Sequence, residues 1–115
     1  DAETLKLRED GIIIEIGKKP KSLDEIEGQY MGLMKFSSEG VKQMKEIFYK
    51  ATEDPKVLGV SVEVAYMTDL LQTVINSNYL VTAVPVNGSW AEIDTVNDLE
   101  SDVTLHRLHE IEMSL

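Results

Sequence analysis

From residue 29 onward the chain alternates short apolar runs with stretches whose apolar residues recur at helical spacing. Strands and helices that follow one another in this way build an α/β domain, here expected to have a mixed sheet. "QYMGLMKF" reads as a buried strand, with Gly32 inside it marking a bulge or a close approach by another backbone. Ser37 or Ser38 then caps a helix that has Glu39 in its first turn. Its apolar stripe is Val41, Met44, Ile47, Phe48 and Ala51, and Asp54-Pro55 ends it. "LGVSVEVAY" fits a strand or a loop equally well. Thr68 is the expected N-cap of a second helix, "TDLLQTVINSN", which buries Leu70, Leu71, Val74 and Ile75. "YLVTAVPV" reads as another strand, Asn87-Gly88 as a turn and "WAEID" as a short strand. Thr95 and Asp98 then form a near capping box for a last helix, with Leu99, Val103, Leu108 and Ile111 on its buried side.

Ahead of this alternation, "TLKLREDGIIIEIG" carries the signature of a β-hairpin. Leu5 and Leu7 alternate with charged residues, Asp10-Gly11 supplies the turn, and the β-branched run Ile12 to Ile14 returns. "KKPKSLDEIEG" is a polar connector broken by Pro20 and Gly28. No repeat, linker or low-complexity segment interrupts the 115 residues, so they read as belonging to one domain.

Composition narrows the function classes. An apolar content of 43% is enough to build a core. No apolar run approaches the roughly 18 residues of a membrane span, and "DAETLKLRED" is no signal peptide. The expectation is a soluble, cytoplasmic protein without a membrane partner. The chain does not open on Met, which reads as a piece of something longer. Without cysteine there are neither disulfides nor thiolate metal sites. The net charge of −10 repels a phosphate backbone and argues against nucleic acid as a partner. A phosphorylated small molecule would then need a local cation, either a lysine cluster or a divalent metal.

Two places meet that requirement. In a strand, residues i and i+2 share a face, so Glu92 and Asp94 can converge on one cation, with Trp90 on the same face. A carboxylate pair with no cysteine or histidine beside it is a hard oxygen site suited to Mg²⁺. The helix capped by Thr95 brings free backbone N–H groups close by. On chemistry alone, a solvated acidic strand end remains the commoner reading of such a pair. The second place is "EIGKKPK", where Lys18, Lys19 and Lys21 cluster in a chain short of positive charge. They form either a solvated loop or a clamp for phosphate. His106 and His109 lack the His-Glu-x-x-His arrangement of zinc proteases and read as solvated helix residues. Neither a nucleophilic triad nor a glycine-rich phosphate loop is present.

Taken in order, "DGIIIEIGKKP", "GQYMGLMKFSSEG", "AYMTDLLQTVINSN" and "VTAVPVNGSWAEIDTVNDLE" resemble the C-terminal half of the nucleotidyltransferases that make nucleotide-diphospho sugars and alcohols. The nearest branch is that of the bacterial phosphocholine and phosphonate cytidylyltransferases. The likeness runs from about residue 4 to residue 100, and "W-x-E-I-D-T-x-x-D-L" is its most specific element. It implies the C-terminal half of a Rossmann-like mixed-sheet domain, with Glu92 and Asp94 holding Mg²⁺. It also implies that Lys18 or Lys19 contacts a phosphorylated acceptor, since two family variants align differently on "GKKP". Gln29, Tyr30, Gly32 and Trp90 become substrate-binding positions by the same likeness. Gln29 stands where many members have Glu, which leaves the acceptor open.

The family's glycine-rich G-x-G-x-R loop, the lysine that follows it and a middle metal-binding Asp are all absent from these 115 residues. The resemblance therefore implies a fragment of a Mg²⁺-dependent enzyme, inactive alone and expected to associate with itself. The whole enzyme would transfer a nucleotidyl group, from CTP by this likeness, to a phosphate, phosphonate or sugar 1-phosphate. The alternative is a small non-catalytic α/β binding or interaction module. A G-x-G-x-R segment encoded immediately upstream separates the first reading from the second.

Overall fold

The computed structural model describes residues 3–115. They divide into two compact units, one running to Val84 and the other spanning Pro85–Leu115.

The first unit opens with the expected hairpin. Strand β1 (Thr4–Leu7) pairs antiparallel with β2 (Ile13–Ile16) across a turn in which Gly11 takes φ +81°. The Asp10 carboxylate accepts from the Ile12 N–H at 3.3 Å, closing the turn locally. The register is Leu5 opposite Ile16 and Lys6 opposite Glu15, then a bulge sets Leu7 opposite Ile13. Residues three apart in a regular strand face opposite sides. The bulge changes that parity, so Ile13 and Ile16 are both buried while Ile14 is exposed.

A single 3-10 turn (Leu23–Glu25) sits inside the polar connector, and β3 (Gly28–Gln29) returns along the other edge of β1. The sheet is antiparallel in the order β2-β1-β3. Two helices follow. In α1 (Ser38–Glu53), the hydroxyl of Ser37 accepts from the Gly40 N–H at 3.0 Å, and Ile47 and Ala51 are buried. In α2 (Met67–Asn76), Leu71 and Val74 are buried. Helix α2 packs on β2 and on α1, so the core lies between sheet and helix, with Leu5, Ile13, Ile16 and Leu71 at its centre.

The free edge of β2 is closed in two ways. The stretch after α2 forms one bridge, Thr82 with Ile12, supported by Ile13 N–H to the Val81 carbonyl at 2.8 Å. Further along, the Gln72 side chain takes the place of a strand. Its Oε1 accepts from the Ile16 N–H at 2.8 Å, and its Nε2 donates to the Ile14 carbonyl at 3.4 Å.

In the second unit, a turn with positive φ at Gly88 and Ser89 leads to α3 (Val96–Glu100) and α4 (Asp102–Ser114). The chain is thus α/β, with the hairpin and the three longer helical stretches where the pattern put them.

Other expectations are corrected. "QYMGLMKF" forms strand only at Gln29. Leu33 beyond it is 81% exposed, because no further strand among the described residues pairs with this run. Gly32 is at φ +84° with nothing within 4 Å of an added Cβ and lies outside the ladder, so it bends the loop and marks neither a bulge nor a close approach. Of the two readings left open for "LGVSVEVAY", the loop is the one that forms. The "YLVTAVPV" strand reduces to the one bridge, and residues 90–94 are irregular. Tyr66, not Thr68, is the N-cap of α2. Ser101 splits the last helix by ending α3 and capping α4. Leu99, Val103 and Leu108 are exposed and Ile111 is half-buried.

Candidate functional site

One end of the three-stranded sheet brings together the backbones of three residues expected to meet the acceptor, Lys18, Gln29 and Tyr30. It comprises the start of β1 and the ends of β2 and β3, which an antiparallel arrangement brings side by side. Thr4 stands opposite Gln29 in register. The Tyr30 N–H donates to the Glu3 carbonyl at 2.8 Å, fixing the backbone beyond β3. On the other side, the Gly17 N–H donates to the Thr4 carbonyl at 2.9 Å and the Thr4 hydroxyl donates to the Lys18 carbonyl at 2.9 Å. Lys18 and Gln29 are therefore tied to Thr4, the first residue of β1, and Tyr30 to Glu3 just before it.

The side chains here differ in freedom. Lys18 and Lys19 are exposed, and the Lys18 ammonium lies 3.5 Å from the Glu15 carboxylate. A pair of this kind, with Lys18 exposed and Glu15 half-buried, contributes little to stability. Tyr30 is half-buried against the core, and its hydroxyl donates to the Met34 sulfur at 3.4 Å. Burial pushes the Tyr30 phenol above its usual pKa, and the nearby Glu3 carboxylate adds to the rise. Gly32 lies in the exposed loop that follows.

In the second unit, Glu92 and Asp94 are both exposed on an irregular segment, so the shared strand face expected for them does not exist. Among the described residues, neither carboxylate makes a hydrogen bond or ion pair, and no group of three or more acidic or histidine side chains converges as for a metal. The donor chemistry nonetheless fits Mg²⁺. That ion commonly binds through one or two carboxylates and completes its octahedron with water and substrate phosphate. Trp90 is half-buried with the Arg107 guanidinium 4.9 Å from its ring centroid, so one face of the indole is taken by a cation–π contact.

The capping box just after the pair is formed as expected. The Thr95 hydroxyl accepts from the Asp98 N–H at 3.1 Å, and Asp98 Oδ2 accepts from the N–H groups of Asp94 and Thr95, each at 3.0 Å. The Asp94 N–H, then the Thr95 hydroxyl, hold the Asp98 carboxyl below its ordinary pKa. Asp98 thus fixes the backbone that carries Asp94 while leaving the Asp94 carboxylate free. His106 pairs with Glu110 at 3.1 Å along α4, a surface contact as anticipated.

Sequence reasoning did not single out Thr4 and read Thr68 only as a helix cap. A threonine in a strand or a first helical turn reads as ordinary propensity, and only the fold shows both to be buried. An open groove lined by Ser37, Glu39, Gln43, Asn78 and Tyr79 contains none of the expected site residues.

No family model matches the chain, and no solved structure matches it. Over 103 residues the chain is 41% identical to the CTP:phosphoglutamine cytidylyltransferase of Campylobacter jejuni subsp. jejuni serotype O:2. The match takes in 90% of this chain but spans only 40% of that relative's length, and it makes the chain similar to part of a cytidylyltransferase.

Proposed function

We propose that these residues form part of a cytidylyltransferase that joins CTP to a phosphorylated small molecule. The observation that carries this reading is the 41% identity to CTP:phosphoglutamine cytidylyltransferase along nine-tenths of the chain. In the reaction, an oxygen of the acceptor phosphate or phosphonate attacks the α-phosphorus of CTP. The bond from that phosphorus to the bridging oxygen of the β-phosphate breaks, and pyrophosphate leaves.

Chemistry of this type depends on positioning and on neutralising charge. Lys18 or Lys19 supplies a cation to the acceptor's phosphate, replacing the Glu15 contact that Lys18 makes in its absence. Gln29 and Tyr30, tied to β1, line the acceptor's place beside the lysines, and Gly32 and Trp90 are further binding positions. Glu92 and Asp94 hold Mg²⁺, which supplies positive charge to the triphosphate. Asp98 holds the Asp94 backbone still by accepting its N–H.

The test is pyrophosphate release by the longer protein that carries this chain. The assay uses CTP with phosphoglutamine, phosphocholine, aminoethylphosphonate and glucose 1-phosphate in turn. Turnover with CTP and at least one acceptor is expected, together with none from the 115 residues alone, which contain no triphosphate loop. Absence of turnover with every acceptor would favour a non-catalytic module instead.

A further inference from the structure

The loop that bears Lys18 is gripped from two elements by two buried threonines. Thr4 of β1 is 9% exposed and Thr68 of α2 is 6% exposed. A hydroxyl is costly to bury without a partner, and valine would fill the same space in a strand without that cost. Thr4 directs its hydroxyl to the carbonyl of Lys18 at 2.9 Å, while its own carbonyl accepts from the Gly17 N–H at the same distance. Thr68, whose hydroxyl lies 3.5 Å from the Glu3 carboxylate, packs on Gly17 so tightly that an added Cβ would lie 2.7 Å from Thr68 Cβ and 2.9 Å from its Oγ1. Gly17 itself is at φ +79°, a conformation that glycine enters freely. Thr4 also faces Gln29 across the β1–β3 ladder, so the same residue couples the lysine loop to the other acceptor segment.

We infer that Thr4 and Thr68 are positioning residues for the phosphorylated acceptor, clamping the Gly17-Lys18 backbone so that the lysine loop has one fixed stem. The inference rests on the cytidylyl-transfer reading. It assigns to two side chains that touch no substrate the task of holding the loop that does. A fixed stem lowers the ordering cost of closing a flexible ammonium on a phosphate.

The experiment compares Thr4→Val, Thr4→Ser and Ile47→Val in the longer protein. Each variant is first checked for folding by circular dichroism, then assayed with CTP and phosphoglutamine, or with the best acceptor of the panel above. Loss of one hydrogen bond to the loop should raise the acceptor KM about five- to tenfold in Thr4→Val, with kcat and the CTP KM within about twofold of the parent. Thr4→Ser, which keeps the hydroxyl, should recover the parent's acceptor KM. Ile47→Val loosens the core in α1, away from the loop, and should leave it unchanged. An unaltered acceptor KM in Thr4→Val would overturn the inference while leaving the functional reading intact. So would a parallel loss in all parameters, a failure of Thr4→Ser to recover, or an acceptor KM raised equally by Ile47→Val. A parent protein inactive with every acceptor would overturn both.

Discussion

At the scale of single residues, two glycines with nearly the same backbone angle separate steric crowding from conformational strain. Gly17 and Gly32 lie at φ +79° and +84°, yet Gly17 abuts Thr68 while Gly32 has open space around it. Alanine at Gly32 meets only the left-handed backbone penalty, on the order of 1–2 kcal/mol. Alanine at Gly17 meets the same penalty and must also displace α2's first turn. Chemical denaturation should therefore find Gly17→Ala clearly less stable than Gly32→Ala; equal losses would mean that Thr68 does not press on Gly17.

Asp98 gives a second test at this scale. Its pKa is lowered in the folded chain by the N–H of Asp94 and the hydroxyl of Thr95. A lowered folded pKa means that the stabilisation is present above the unfolded value and is lost as pH falls through the folded one. The amide signals of Asp94 and Thr95, followed by NMR, should accordingly hold their positions down to a pH below the ordinary aspartate range before shifting together. A midpoint at the ordinary aspartate value would show the cap to be open in solution.

At the scale of elements, what was legible in the sequence is what neighbours along the chain can settle. The Asp10-Gly11 hairpin, the Ser37 cap and the Thr95–Asp98 box each need only residues a few positions apart, and each formed. The apolar runs at 30–36, 79–86 and 90–94 were harder to read, because a strand exists only where another strand meets it. Alternation records which residues favour burial and does not name the partner. Among the described residues the first run follows a two-residue ladder at 28–29 but forms none itself, the second makes one bridge and the third makes none. The candidate site followed the same division. The lysines and carboxylates were visible as residue types, whereas the buried hydroxyls of Thr4 and Thr68 and the cation over Trp90 are products of tertiary contact.

The edge of β2 shows how a side chain can stand in for the missing neighbour. Gln72 spans the Ile14 carbonyl and the Ile16 N–H with both ends of its amide, and its Nε2 also reaches Asn76 Oδ1 at 3.0 Å. Gln72→Leu keeps the helix propensity and much of the bulk but strands a half-buried N–H. It should cost about 1–3 kcal/mol in urea unfolding, the range for leaving one buried donor unpaired. A midpoint equal to the parent's would mean that water already serves that edge.

At the scale of the molecule, both units carry apolar surface that their own residues do not cover. In the first, Leu33, Tyr66, Leu80 and Val84 are exposed. In the second, no apolar side chain from Pro85 onward is buried among the described residues. So short a unit cannot bury a core of its own, and apolar side chains left exposed in both units favour association. We predict that the 115 residues associate, appearing by light scattering as a dimer or larger species whose population rises with concentration. A well-folded monomer at every concentration would contradict this.

In the proposed reaction the two carboxylates of "SWAEIDT" act on phosphate chemistry and do not merely face solvent. The most direct measurement is the rate of pyrophosphate release by the longer protein at saturating Mg²⁺, comparing Asp94→Asn, Glu92→Gln and Asp98→Asn with the parent after circular dichroism has confirmed folding. Removing charge that is preorganised for the transition state typically costs on the order of 10²-fold or more in turnover. Asp94→Asn and Glu92→Gln should each lose about that much, whereas Asp98→Asn, whose amide oxygen can still accept from the Asp94 and Thr95 N–H groups, should weaken the cap of α3 and keep most of the rate. Parent-like turnover in both Asp94→Asn and Glu92→Gln would contradict the account and leave the pair as a solvated acidic loop.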